Sequence, residues 1–259
     1  MTEFPQKKNR IHFLDELRGI AVFCMVFYHA FYIIGSSFGS TTAVDLFNFF
    51  LPVQPFFAGI FIFLCGISCT LSRNNFKRGA VLLAIALGMT FVTAFVMPKI
   101  GFYECEIYFG ILHFLSVSIL IFSLLSKPLK RVSPFIGILL CSVLYAFTSG
   151  IENGVLSYGE FISVALPESL YESSLLMPLG IYAPGFFSAD YFPIFPDIFV
   201  FLSGVFAGRY FASNGYPETF YKKRAPFFGG LGRNALVIYI AHMPLIYAVS
   251  YVIELLIKN

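Results

Sequence analysis

The chain has 259 residues, of which 58% are hydrophobic and only 12% charged, against roughly 25% charged in an ordinary soluble domain. Its mean hydropathy is +0.81, with 34 Phe, 15 Tyr and no Trp. A soluble globule of this size could not bury so much apolar surface and still cover itself with polar groups. The same figures exclude disorder, and a formal charge of +3 supplies none of the basic field that nucleic-acid binding needs. The expected solvent is lipid, and the expected fold class is an all-α, polytopic membrane helix bundle.

A spanning helix needs about 20 largely apolar residues. Seven stretches meet that requirement in chain order: 15–35, 53–72, 79–98, 107–125, 133–149, 192–212 and 232–256. The first is expected to stay in place rather than act as a cleavable signal. It lacks a small-residue cleavage site and carries Asp15, Glu16 and Arg18 at its start. Lys and Arg set the orientation. With the N-terminus in the cytoplasm, the inner side collects Lys7, Lys8, Arg10, Arg18, Arg73, Lys77, Arg78, Lys127, Lys130, Arg131, Arg209, Lys222, Lys223, Arg224 and Arg233. Only Lys99 and Lys258 remain outside, while Asp45, Glu104, Glu106, Glu152, Glu160, Glu168, Glu172 and Asp190 fall there. The five cysteines form no CxxC motif and no secreted disulfide framework. Cys65 and Cys69, four apart, can share a helix face. The whole chain, 1–259, reads as a single transmembrane domain. Its longest connection, 150–191, is acidic and proline-bearing; a structureless loop of that length is unusual. Short interfacial helices or a re-entrant cap over the outer mouth are expected there.

Ionisable side chains at membrane depth are costly and mark functional sites. At a rise of about 1.5 Å per residue, His29 lies roughly 16 Å in from the cytoplasmic face and His242 about 15 Å along the seventh span. His113 and Asp197 lie about 9 Å and about 8 Å below the outer face. The three histidines come from three helices and are expected to face one cavity. A lone intramembrane His often only bonds a neighbouring helix, but three at similar depth beside Asp190 and Asp197 favour a site. His12 is juxtamembrane. The basic clusters at 73–78, 127–131 and 222–224 act chiefly as topology determinants.

The richest stretch is the start of the first span, Leu14-Asp15-Glu16-Leu17-Arg18-Gly19, followed by Tyr28-His29. Asp15 and Arg18, three apart, can pair on one helix face. Gly19 lets another helix approach closely. Arg18 offers a guanidinium at the inner mouth, where a phosphate would arrive. His29, deeper, can serve as a base near neutral pH.

Arg18, ten intervening residues and His29 resemble the signature of the integral-membrane acyltransferases that decorate bacterial surface sugars. Further segments are similar to one branch, the heparan-alpha-glucosaminide N-acetyltransferase-like membrane proteins. They are Phe56-Phe57-Ala58-Gly59-Ile60-Phe61 with Gly66, Phe109-Gly110-Ile111-Leu112-His113-Phe114, Ala189-Asp190-Tyr191-Phe192-Pro193, and the run from Leu231-Gly232-Arg233-Asn234 to His242. The resemblance implies a multi-pass enzyme that takes an acetyl group from cytosolic acetyl-CoA and delivers it to a sugar or glycan acceptor across the bilayer. It implies Arg18, His29 and Asp15 as the catalytic group, and His113, Asp190, Asn234 and His242 as the lining of the acceptor site. The donor's phosphates would rest on Arg18, Arg78, Arg131 and Arg233. One departure stands out: the lysosomal relatives carry Asn where His29 falls and place their catalytic histidine in the first lumenal loop. The corresponding stretch here, around Ser40 and Thr41, has no histidine. The chain is also shorter than those relatives, which leaves room for a homodimer to complete a site.

Readings from other classes remain open on the residues alone. A proton-coupled transporter or exporter would also place His and Asp at mid-depth, though it predicts half-chain repeats that the sequence lacks. A haem protein would use two histidines such as His29 and His242 as axial ligands. A metal centre finds no short ligand spacing.

Overall fold

A computed structural model describes residues 10–100 and 105–258. Lys7, Lys8 and Glu104, used above for orientation, lie outside the described residues. The regular structure of the described residues is helical apart from one short hairpin. The helices are α1 (His12–Phe38), α2 (Thr41–Phe50), α3 (Gln54–Leu71), α4 (Asn75–Phe91), α5 (Ile111–Leu129), α6 (Pro134–Thr148), α7 (Ile198–Asn214), α8 (Pro226–Arg233) and α9 (Ala235–Lys258). Six segments are long and apolar enough to cross a membrane, namely His12–Phe38, Thr41–Leu71, Asn75–Lys99, Ile111–Leu129, Pro134–Asn153 and Ala235–Ile253. They coincide with six of the seven expected spans. Large apolar side chains such as Phe49, Phe56 and Leu124 stand 70% or more exposed, as suits helices whose outer faces meet lipid rather than water.

The remaining expected span, 192–212, sixth in chain order, starts later than the hydropathy suggests. Pro193 and Pro196 cannot donate to a helix ladder and keep the preceding residues extended. Helix α7 therefore begins at Ile198 and has 17 residues, about 26 Å of rise. Local signals set other boundaries. Gly39 ends α1 in the left-handed region at φ 69°, with its N–H on the Ile34 carbonyl. The Asn74 side chain caps α4 through Lys77 N at 2.9 Å. Beyond Phe91, α4 loosens into a π-turn at Val92–Val96.

The chain divides into two compact units, 10–61 with 215–258, and 62–214. In the first, α1 packs on α2, α8 and α9. Its tightest contact is backbone on backbone. A Cβ at Gly19 would run into the Phe228 carbonyl, and one at Gly232 into the Asp15 carbonyl. The close approach expected of Gly19 is thus present, and its partner is the short helix α8. In the second unit, α4 packs on α5 and α6 on α7. The latter half of α3 meets α7 through Gly66, Gly204 and Gly208. A Cβ at Gly66 would lie 2.9 Å from Val205 N, and one at Gly208 3.0 Å from the Cα of Ile67. Small residues of this kind let helices approach where no hydrophobic force drives them together.

The connection 150–191 is ordered, as its length demanded. It holds 3-10 turns at Ile151–Asn153, Glu168–Tyr171 and Ser174–Leu179. It also holds an antiparallel hairpin, unexpected from the sequence, that pairs β1 (Val155–Tyr158) with β2 (Ile162–Ala165). Gly159 supplies the positive φ of its turn, 57°. Side chains tie the segment together: Tyr171 to the Ile151 carbonyl, Tyr182 to Glu152 at 3.0 Å, and Tyr191 to the Met177 carbonyl at 2.7 Å.

Candidate functional site

Helix α1 runs unbroken from His12 to Phe38, so Arg18 and His29 share one rigid element. Their separation is close to three full turns, which puts both on one face about 16 Å apart along the axis. Asp15 lies in the first turn, where a carboxylate suits the helix dipole. Its side chain is 10% exposed and accepts from Arg18 Nη1 at 3.2 Å and from Arg10 Nε at 2.6 Å. The expected pairing of Asp15 with Arg18 is therefore formed. Arg18 keeps 21% of its side chain exposed.

Glu16, passed over in the sequence, is more deeply engaged. It is 5% exposed, and its Oε1 accepts from the backbone N–H groups of Arg224 and Ala225 at 2.8 and 2.9 Å. These are the residues that lead into α8, which starts at Pro226. The acid thus ties the start of α8 to α1.

At the other end of the same face, Nδ1 of His29 lies 3.0 Å from Nε2 of His242, which is carried on α9. The two rings are 4.9 Å apart between centroids and inclined by 38°. Nδ1 of His242 lies 2.6 Å from the Tyr239 carbonyl, and His242 is 5% exposed. Direct ring contact leaves no room between the two imidazoles for a haem ligated by both. Tyr28, beside His29 at 5.7 Å, packs on Phe47 of α2 at 4.8 Å, and Phe23 meets Phe228 edge-on at 5.5 Å. Asn234 sits at the junction of α8 and α9, with its amide turned back to the Gly230 carbonyl at 3.0 Å. Arg233 is exposed and folds back over Gly229 and Gly230.

In the second unit, His113 has both ring nitrogens engaged within the fold. Nδ1 accepts from Gly110 N at 3.2 Å, and Nε2 lies 3.1 Å from Thr90 Oγ1. That hydroxyl donates to the Ile107 carbonyl at 2.7 Å, so toward the imidazole it can only accept. Thr93 Oγ1 in turn accepts from Ile107 N at 3.1 Å. Asp190 Oδ2 accepts from Ile111 N at 3.0 Å, capping the start of α5. Backbone bonds from Ala189 to Glu106 and from Phe192 to Phe109 lace the same strips together. Two of the segments singled out in the sequence, 109–114 and 189–193, are therefore bonded to one another. Asp197 directly precedes α7, where its carbonyl accepts from Phe201 N at 3.1 Å.

The basic residues expected around the donor have varied surroundings. Arg78 contacts the thiols of Cys65 at 3.4 Å and Cys69 at 3.8 Å, so the two cysteines do share a helix face. Arg131 is exposed. Arg209, read only as a topology determinant, donates to the carbonyls of Leu129, Lys130 and Val132 at 2.6, 2.9 and 3.0 Å. It closes the C-terminal end of α5 and lies 5.5 Å from the Phe206 ring. Glu16, Thr90, Thr93 and Arg209 were missed by sequence reasoning. The only signal they gave was a polar group at the edge of, or within, an apolar run. Among the described residues no group of three or more His, Cys, Asp or Glu side chains is arranged to hold a metal ion.

A protein-family comparison matches residues 10–244 to the family described as Heparan-alpha-glucosaminide N-acetyltransferase, catalytic. Comparison with curated protein sequences and with solved structures gives no match.

Proposed function

The chain belongs to the heparan-alpha-glucosaminide N-acetyltransferase family, and from that premise we propose that it moves an acetyl group from cytosolic acetyl-CoA to an amine or hydroxyl of a sugar or similar acceptor on the other side of the membrane. The observation that carries this reading is the single face of α1. There a guanidinium anchored by Asp15 and a histidine stand about three turns apart. In this reading the membrane is a bacterial inner or cell membrane; the one-sided distribution of Lys and Arg favours an N-terminus on its inner side.

The donor supplies an activated acetyl thioester. Arg18 is suited to a phosphate group because Asp15 orients its planar fork. Arg233, exposed on α8, adds positive charge in the same unit. His29 removes the proton from the attacking amine or hydroxyl. The acceptor's electron pair then forms the new bond to the acetyl carbon, the carbon–sulfur bond breaks, and the proton passes to the thiolate. His113 and Asp190 shape the second unit by holding the start of α5.

The test is turnover of acetyl-CoA by detergent-purified protein with glucosamine as acceptor, read as thiol release. His29→Ala is expected to lower kcat by about 100-fold or more, the usual worth of a positioned base. Arg18→Ala is expected to raise KM for the donor. Wild-type turnover in both variants would remove the site.

A further inference from the structure

We propose that His242 is a positioning residue that fixes the tautomer of His29, so that Nε2 of His29 is the atom that takes the proton. The consequence for catalysis rests on the acetyltransferase reading above; the tautomer itself rests on two contacts within one unit. A backbone carbonyl can only accept a hydrogen bond. The Tyr239 carbonyl lies 2.6 Å from Nδ1 of His242, so that nitrogen carries a hydrogen. A neutral imidazole has one N–H, which leaves Nε2 of His242 as a lone pair. That lone pair lies 3.0 Å from Nδ1 of His29. Two lone pairs do not hold each other at that distance, so Nδ1 of His29 donates, and its own lone pair stands on Nε2. Nε2 of His29 has no hydrogen-bond partner among the described residues.

The opposite arrangement would make His242 an imidazolium that donates to His29 through Nε2. It would place a cation on a side chain 5% exposed, in an apolar helix, where an unpaired charge is costly. It would also leave Nε2 of His29 with a hydrogen and no power to act as a base. The neutral relay instead sets which nitrogen is basic through the bond made by the other, the usual way in which an imidazole is oriented for chemistry. When Nε2 of His29 takes a proton, its Nδ1–H still points at the lone pair of His242. The new positive charge is thereby met by an acceptor already in place.

Histidine labelled with nitrogen-15, in protein held in detergent, reports tautomers directly. His29 and His242 are both expected in the Nδ1–H form, with His29 assigned by loss of its signal in His29→Ala. In His242→Leu the lone pair is gone, and His29 is expected to revert to the Nε2–H form, with kcat down by about 100-fold and KM little changed. His242→Gln restores an acceptor oxygen near the same place. It is expected to keep the Nδ1–H form of His29 and recover most of the lost kcat. If the leucine variant does not fold, the wild-type and glutamine spectra decide. An Nε2–H signal from His29 in the wild type overturns the proposal, even if the protein acetylates. Absent turnover with an Nδ1–H signal overturns the acetyltransferase reading and leaves the relay standing.

Discussion

Glu16→Ala should free the start of α8 from α1. The Glu16 carboxylate accepts two backbone N–H bonds, from Arg224 at 2.8 Å and Ala225 at 2.9 Å, and is 5% exposed. A hydrogen bond to a charged group contributes about 1.5–3 kcal/mol, and a buried donor left unpaired costs a similar amount. Both donors lose their acceptor together, so the local cost is about 3 kcal/mol at the least. At about 1.4 kcal/mol per decade, that is roughly a 100-fold larger population of the opened form. Amide hydrogen exchange in detergent, followed by mass spectrometry, measures it at peptides covering 222–230. Exchange there should quicken by about that factor while peptides of α5 and α6 stay unchanged. Glu16→Gln keeps an acceptor oxygen without the charge and should fall between. Unchanged exchange at 222–230 in Glu16→Ala would refute the reasoning, because the anchor would then carry no weight.

Gly232→Ala puts a Cβ into the Asp15 carbonyl and should destabilise the protein by about 1–3 kcal/mol or more. Gly59→Ala meets open space and should stabilise it by about 0.5–1 kcal/mol; parallel thermal unfolding in one detergent compares them. Arg209→Met removes three bonds to carbonyls at the end of α5 and should cost about 3 kcal/mol. Arg209→Lys, which keeps the charge but not the fork, should lose less, both read from denaturant unfolding. Tyr182, lying outside the spans, is pushed up to about 12 by burial and then by Glu152. A raised folded pKa favours the protonated form, so its contribution is present below the ordinary tyrosine range near pH 10 and is lost as pH rises through about 12. Tyrosinate absorbance should show one group titrating near there that Tyr182→Phe removes.

The spans were legible because lipid demands length and apolarity, and both are local properties of the chain. Where a local rule competed, the boundary moved, as at Pro193 and Pro196, which delay α7 to Ile198. The short helices α2 and α8 were not legible. The second expected entrance to the bilayer, at residue 53, hid the ten residues of α2 that precede it. The eight residues of α8 contain three glycines and gain their place from a contact with Gly19 on α1, distant in sequence. The pairing of Asp15 with Arg18 could be read from a spacing of three. The contacts of Glu16 with 224–225, of His29 with His242 and of Asp190 with Ile111 could not, since each joins residues at least 79 positions apart.

The polar groups at depth were read together from the sequence, yet the fold treats them differently. Hydrocarbon offers no hydrogen bonds, so every polar atom there is either paired within the protein or costly. His113 meets that requirement in full, with a backbone N–H on one nitrogen and the Thr90 hydroxyl on the other. Removing it would take the acceptor from Gly110 N–H at the start of α5, whatever the reaction, and leave Thr90 only its bond to the Ile107 carbonyl. His242 meets it with the Tyr239 carbonyl and His29. His29 is paired on one side only, among the described residues. The side left over is a nitrogen on the face that also carries Arg18. The nitrogen left over is the one to which the proposed reaction assigns the proton.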